Sequence, residues 1–376
     1  MAPIAEPIAD RPQLLRILGA VFGIAVGVGS MIGAGILRTP GSVAHAVPSY
    51  WWIIGLWAFG AAHTLLSANI FAELYTAMPK AGGPYVPVRR LFGNLAGLLV
   101  GVCDTLNSAA STAALALAGV DFLALAIPAA GAYPVALSGA IIAGIFFLNV
   151  LGVREGRAAQ VAMTAVKVAL LLIIIVAAWL LPPAPAPIAA SVIAPAIGLA
   201  GVIAAYQLIA GAYSGWPNAV YFAEEDVAPG RNIPRALYGA VLAVTALYLL
   251  INFALLRVNS VAALGGQDIP VGALIERLAG GLGPPLLGVT GFLLIVGCCH
   301  AGLMCAPRVV FGLARDGLIP RQFAQVSRSG TPQLGLLLVT SASLALAFTG
   351  SFEAAFRLVA TTGVALALLL DVVFFA

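Results

Sequence analysis

Runs of about twenty apolar residues recur from one end of this 376-residue chain to the other, and they leave few folds open. In hydrocarbon every backbone N–H and C=O must be satisfied within the protein, which only helices and closed barrels achieve. Helices of that length, rising about 1.5 Å per residue, cross the apolar core of a bilayer. The composition agrees, with 62% hydrophobic and 9% charged residues, where soluble domains carry roughly 25% charged. Ten spans are read, centred near Val28, Leu66, Ser108, Gly144, Leu171, Gln207, Tyr248, Leu294, Thr340 and Ala365. The expected fold is an all-α polytopic membrane protein surrounded by the lipid bilayer. The formal net charge of +4 gives no reason to expect a nucleic-acid partner, because the basic residues sit in loops between spans and orient the chain instead.

With the N-terminus in the cytoplasm, the loops around 80–90, 154–157, 231–235 and 308–328 are cytoplasmic too. Together with Arg11 and Arg16 they hold most of the Lys and Arg, against Arg38, Arg257, Arg277 and Arg357 on the other side. This is the positive-inside pattern, and an even number of spans returns the C-terminus to the cytoplasm. The plasma membrane is the expected location. No removable signal peptide is expected, since the first fifteen residues lack a small-residue cleavage site after a short apolar core. Pro182-Pro183-Ala184-Pro185-Ala186-Pro187 cannot continue a helix. Dividing there gives two repeats, 1–181 and 182–376, of five spans each. An odd-numbered repeat inserts its second copy upside down, which predicts inverted pseudo-symmetry.

Each half begins with an interrupted span. In the first, Gly27, Gly29, Gly33 and Gly35 bracket Ser30, Met31 and Ala34; in the second, Ala210-Gly211-Ala212-Tyr213-Ser214-Gly215-Trp216 breaks the apolar run. Small residues spaced by four also make close helix-packing faces, so the first segment alone has two readings. Two breaks at corresponding positions point to a transporter's binding site. A half-helix beginning near Gly33 directs free N–H groups and a positive dipole end at a carboxylate. Freed carbonyls in the second break are acceptors for an ammonium group. A zwitterionic α-amino acid fits between them. Tyr213 and Trp216 either line that pocket or anchor the helix by packing.

Four motifs then carry a resemblance. Gly29-Ser30-Met31-Ile32-Gly33-Ala34-Gly35-Ile36-Leu37 with Thr39-Pro40-Gly41 resembles the first helix of the amino acid-polyamine-organocation (APC) permeases. So do Phe71-Ala72-Glu73-Leu74 and Pro79-Lys80-Ala81-Gly82-Gly83-Pro84-Tyr85 with Phe92-Gly93. Ala212-Tyr213-Ser214-Gly215-Trp216, Ala223-Glu224-Glu225 and Asn232-Ile233-Pro234-Arg235-Ala236 are similar to the sixth helix and following loop of the L-type branch. Arg308, Ala314-Arg315-Asp316-Gly317 and Pro320 resemble the loop after the eighth helix. The resemblance implies a LeuT-type fold of two inverted five-helix repeats with broken helices 1 and 6. It implies substrate contacts from Ser30, Met31, Gly33, Ala34 and Gly35, with the carboxylate met by Ser30, Gly33 and Gly35. The amino group would meet carbonyls around Ala210, Gly211 and Tyr213, beside Ser214.

Lys167 stands inside the fifth span, where a lysine costs roughly 2.5 to 3.5 kcal/mol on insertion scales. It either snorkels to the headgroups or finds buried partners, and in the second case it is a candidate proton carrier. Sodium-independent APC members resemble this chain in having a fifth-helix lysine where sodium-coupled relatives bind a cation. The resemblance thus implies sodium independence, with proton coupling or exchange. Glu73, Glu224 and Glu225 end their spans within reach of Arg231, Arg235 or Arg315 and have gating or structural roles. His300 in the eighth span is titratable in general near physiological pH, and it is either a packed, hydrogen-bonded group or part of a gate. Asn107, Ser108 and Ser111 line the pocket or bond between helices. Cys103, Cys298, Cys299 and Cys305 lack the spacing of a disulfide framework or zinc site and are read as packing residues.

Family members usually have twelve helices, and ten are read here without the eleventh and twelfth. Gly211 also departs from the pattern, because many L-type relatives place a bulky aromatic there, closing over the substrate. The expected function is amino acid transport by alternating access. A non-transporting sensor on the same fold and a membrane enzyme are the alternatives. An enzyme would need a reactive constellation, and the sequence offers no paired carboxylates, nucleophile motif or metal-spaced His cluster. No cofactor or metal is expected.

Overall fold

The computed structural model describes residues 14–184 and 197–363, apart from 354, 356 and 360. Among them the secondary structure is helical, and the tenth span expected near Ala365 and the stretch from Pro185 lie outside the described residues. The helices run α1 (Ala20–Met31), α2 (Gly35–Ala46), α3 (Tyr50–Ala77), α4 (Tyr85–Ala126), α5 (Pro134–Leu151), α6 (Val153–Leu180) and α7 (Leu199–Ala212). A 3-10 segment, Trp216–Phe222, separates α7 from α8 (Pro229–Val258). Then come α9 (Val261–Gly265), α10 (Pro270–Ala279), α11 (Gly283–Arg315) and α12 (Gln333–Ala347).

Among the described residues six helical stretches are long and apolar enough to cross a membrane, and α1 with α2 makes a seventh span bent by 51°. That is fewer than the ten expected. The second interrupted span is split between α7 and its 3-10 continuation, and α12 has 15 residues, so neither meets the length of an unbroken crossing. α4 contains a further break at Gly93, whose φ of 84° belongs to the left-handed region. It sets Tyr85–Phe92 apart from the span proper. α9 and α10 lie against α2 in a connection where the sequence reading placed no helix.

α11 packs along α4, and α3 and α1 both pack on α8. The α1–α8 contact depends on small residues. A Cβ on Gly23 would lie 2.5 Å from that of Ala236, and one on Gly27 would lie 2.7 Å from that of Ala240. A Cβ on Gly29 would lie within 2.5 Å of both Gln160 and Thr164 on α6, so within the glycine stripe the packing reading describes Gly27 and Gly29, and it extends to Gly23. Outward faces such as Leu172, Ile173, Val176 and Leu180 on α6 are exposed and apolar, as lipid contact requires.

At the end of the bundle where α1 begins, polar groups join several elements. Leu18 N–H donates to the Glu225 carbonyl and Val227 N–H to the Leu18 carbonyl, both at 3.0 Å, pinning the start of α1 to the loop after the 3-10 segment. Arg308 grips Glu225 through two bonds of 2.8 and 3.0 Å, stacked over Phe222 at 4.7 Å. Arg315 pairs with Glu224 and Asp316, and Arg89 and Tyr85 also hold Asp316, at 2.6 and 3.1 Å. Of the expected partners only Arg315 is used. Glu225 takes Arg308 instead of Arg231 or Arg235, because α11 brings Arg308 beneath Phe222. Glu73 is exposed and forms no ion pair among the described residues, so it lies outside this network.

The Arg308 and Glu225 side chains are 2% and 0% exposed. Removing one partner strands a buried charge, at a cost of about 3–5 kcal/mol, whereas replacing both by apolar residues is far milder. Arg308→Ala is expected to lower the melting midpoint in detergent sharply, and an Arg308→Met/Glu225→Leu double variant to recover much of the loss.

Candidate functional site

The two interruptions face each other. Ile32 to Ala34 separate α1 from α2, and Tyr213 to Gly215 separate α7 from the 3-10 segment. They meet at Ser30 and Gly215. Gly215 has a φ of 101°, and a Cβ there would stand 2.7 Å from that of Ser30. Only glycine allows both this turn and this approach. Beyond the contact, Asn218 donates to the Ser30 hydroxyl at 2.8 Å, while that hydroxyl donates to the Val26 carbonyl at 2.7 Å.

Unwinding leaves carbonyls that lipid cannot satisfy, and buried donors take them up. The Tyr248 hydroxyl lies 2.7 Å from the Met31 carbonyl and 3.1 Å from that of Ala212, so it touches both breaks. With one proton it donates to one at a time. Lys167, fully buried, donates to the Gly29 and Ile32 carbonyls at 2.6 and 2.9 Å and approaches the Cys298 sulfur at 3.2 Å. Its stem crosses Gly297, where a Cβ would sit 2.5 Å from Cε. The snorkelling alternative is thus replaced by an inward-facing ammonium, since two freed carbonyls at that depth are the nearest acceptors.

A cavity of about 530 Å³ opens beside the breaks. Of the candidate substrate residues, Ser30, Met31, Gly33, Ala34, Gly35, Asn107, Gly211 and Ser214 line it. Ser108 and Ser111 line it as well. Ala210 and Tyr213 are not in the lining. Ala210 is exposed on the outer side of α7, and Tyr213 is buried between Trp57 and Tyr248, with ring centroids at 6.0 and 5.3 Å. Trp216 is also absent from the lining; it packs edge-on against Phe71 at 4.8 Å. For Tyr213 and Trp216 the packing alternative describes the geometry. His300 lies apart from the cavity, buried, with Nδ1 2.7 Å from the side-chain Oε1 of Gln160, whose Nε2 donates to the Thr164 hydroxyl, which in turn donates to the Ala25 carbonyl.

Several residues of this site carry weak sequence signals. Asn218, Tyr248 and Cys298 became relevant only when the tertiary fold brought them to the breaks. Asp104, a carboxylate within an apolar run, is the signal that the sequence reading passed over. It lines the cavity and accepts from the Tyr221 hydroxyl at 2.9 and 3.1 Å.

The two break glycines should respond oppositely to alanine. At Gly215 a Cβ meets Ser30 and an unfavourable backbone, whereas at Gly211 nothing lies within 4 Å. Gly215→Ala is expected to lower the thermal midpoint of the purified protein by several degrees, and Gly211→Ala to leave it within about a degree.

Comparison with known proteins agrees with this architecture. The family described as "Amino acid permease" matches residues 18–376. The serine/threonine exchanger SteT of Bacillus subtilis is 29% identical over 82% of this chain and 70% of its own length. Asc-type amino acid transporter 1 of Mus musculus is 28% identical over 91% of this chain, and the vacuolar cationic amino acid transporter 4 of Arabidopsis thaliana 27% over 90%. The chain spans only 66% and 59% of the length of those last two. The family and these relatives are transporters, not enzymes. An apolar helical bundle with the broken-helix motifs, matched by the family from Leu18 onward, places this chain in the amino acid permease family of the APC superfamily.

Proposed function

We propose that this chain is a secondary transporter that carries amino acids across the membrane by alternating access, on a LeuT-type pair of inverted five-helix repeats. The meeting of two broken spans at Ser30 and Gly215, beside one polar cavity, is the observation that carries the reading. The relatives named as amino acid transporters and exchangers support the class of cargo. The start of α2, where a helix leaves its first N–H groups without intrahelical acceptors, borders the cavity at Gly35 and suits the substrate carboxylate. Gly211 borders the cavity, and its carbonyl, which accepts the Ser214 N–H at 3.1 Å, is the candidate acceptor for the ammonium group.

Lys167 supports sodium independence, because the protein's own ammonium already occupies the carbonyls that a bound cation would use. Its removal or return of a proton would loosen the first break, which is the basis for proton coupling. The Glu224 and Glu225 ion pairs tie together the end where α1 begins, read as cytoplasmic from the distribution of Arg and Lys. They would part and re-form as access alternates. Trp216 and His300 hold the breaks in register through packing and the Gln160 bond.

Uptake of a panel of labelled amino acids into proteoliposomes, with and without a proton gradient, is expected to show sodium-independent flux. Binding without flux for every substrate would favour a sensor. In Lys167→Ala, flux should lose its response to the pH gradient, and a full response would reject the coupling role. Gly211→Phe places a ring in open space at the cavity wall and should narrow the accepted side chains; an unchanged substrate profile would exclude position 211 from selectivity.

A further inference from the structure

Asp104 is the cavity residue that the transport reading leaves without a task. It is 4% exposed, yet it borders the cavity. Among the described residues no Lys, Arg or His nitrogen lies within 4.0 Å of it, and its one donor is the Tyr221 hydroxyl. A single hydroxyl proton cannot satisfy two carboxylate oxygens, which together accept about four bonds. The two buried cations, Lys167 and Arg308, are committed elsewhere. Lys167 is held by the Gly29 and Ile32 carbonyls, and Arg308 by Glu225. Among the described residues the cavity lining thus contains one carboxyl group and no basic residue.

Its position is also specific. Tyr221 is six residues beyond Gly215 on the 3-10 segment, so at about 2 Å per residue it lies roughly 10–12 Å along that element from the break. An amino acid whose carboxylate and α-amino group occupy the breaks reaches that far only with a long side chain. Lysine spans five bonds of about 1.5 Å from Cα to Nζ, roughly 6 Å in zigzag, and with a hydrogen bond of about 2.9 Å it covers about 9 Å, most of that distance, where a short neutral side chain covers little of it.

We propose that Asp104 is the counter-ion for a cationic side chain of the cargo, so that this chain carries diamino acids such as lysine and ornithine in preference to neutral ones. The inference rests on the transporter reading above. The cargo's distal ammonium supplies the partner that the protein withholds, with Tyr221 orienting the carboxylate.

Purified full-length protein in proteoliposomes is assayed with labelled lysine, ornithine and alanine, alongside thermal shift in detergent with each unlabelled compound. Wild type is expected to prefer lysine and ornithine. Asp104→Asn should lower the lysine-to-alanine uptake ratio at least tenfold, and Asp104→Glu, which keeps the charge, should retain the preference. Wild-type flux of alanine with exclusion of lysine and ornithine overturns the assignment and leaves the transporter reading intact. Equal loss of all substrates in Asp104→Asn, with no preference for lysine in Asp104→Glu, also overturns it. If no compound is carried, lysine stabilisation that Asp104→Asn abolishes keeps the counter-ion role and rejects transport; stabilisation by none rejects both.

Discussion

The structure depends on how the backbone freed at the first break is satisfied. A helix interrupted at bilayer depth exposes carbonyls with no water to receive them. Here the Lys167 ammonium takes Gly29 and Ile32, and the Tyr248 hydroxyl reaches Met31. These donors come from α6 and α8, so the break is stable only when three helices are assembled around it. The lysine in turn needs the room left by Gly297 on α11. A costly ionisable group and an otherwise unsatisfied backbone thus stabilise each other. Neither would be tolerated alone in hydrocarbon.

Two kinds of joint surround that centre. Between α1 and α8, and between Ser30 and Gly215, the contacts are close approaches of small residues, which fix geometry through shape. At the end where α1 begins, the joints are ionic: Arg308 with Glu225, Arg315 with Glu224, and Arg89 with Asp316. Glycine contacts tolerate little adjustment, because a Cβ has nowhere to go. Ion pairs have discrete made and broken states, so the two kinds of joint differ in how readily they can part. The cavity borders the Ser30–Gly215 contact, with polar side chains from α1, α4, the second break and the 3-10 segment converging on it.

The sequence was informative wherever chemistry conflicted with the hydrocarbon. Glycine clusters inside apolar runs marked both breaks, and a lysine among valines and leucines marked a site that needed partners. Residues whose role comes from the neighbour they meet were less legible. Tyr213 reads like a pocket residue and is packed between Trp57 and Tyr248. Ala210 has a helix periodicity that turns it outward. Glu225 carries the same charge as Glu73, yet only Glu225 is brought under an arginine.

By itself, the sequence determined that the chain is an α-helical membrane protein of the amino acid permease family, with interrupted helices at Gly29 to Gly35 and Ala210 to Trp216. Hydrophobic run length and backbone satisfaction are local constraints, so they can be read along one dimension. The tertiary structure alone decided that Lys167 faces inward, that Gly215 rests on Ser30, and that Asp104 reaches the cavity with no basic partner among the described residues. Each of these depends on which helix face meets which neighbour, and the free energy of a buried charge is set by that neighbour rather than by position in the chain.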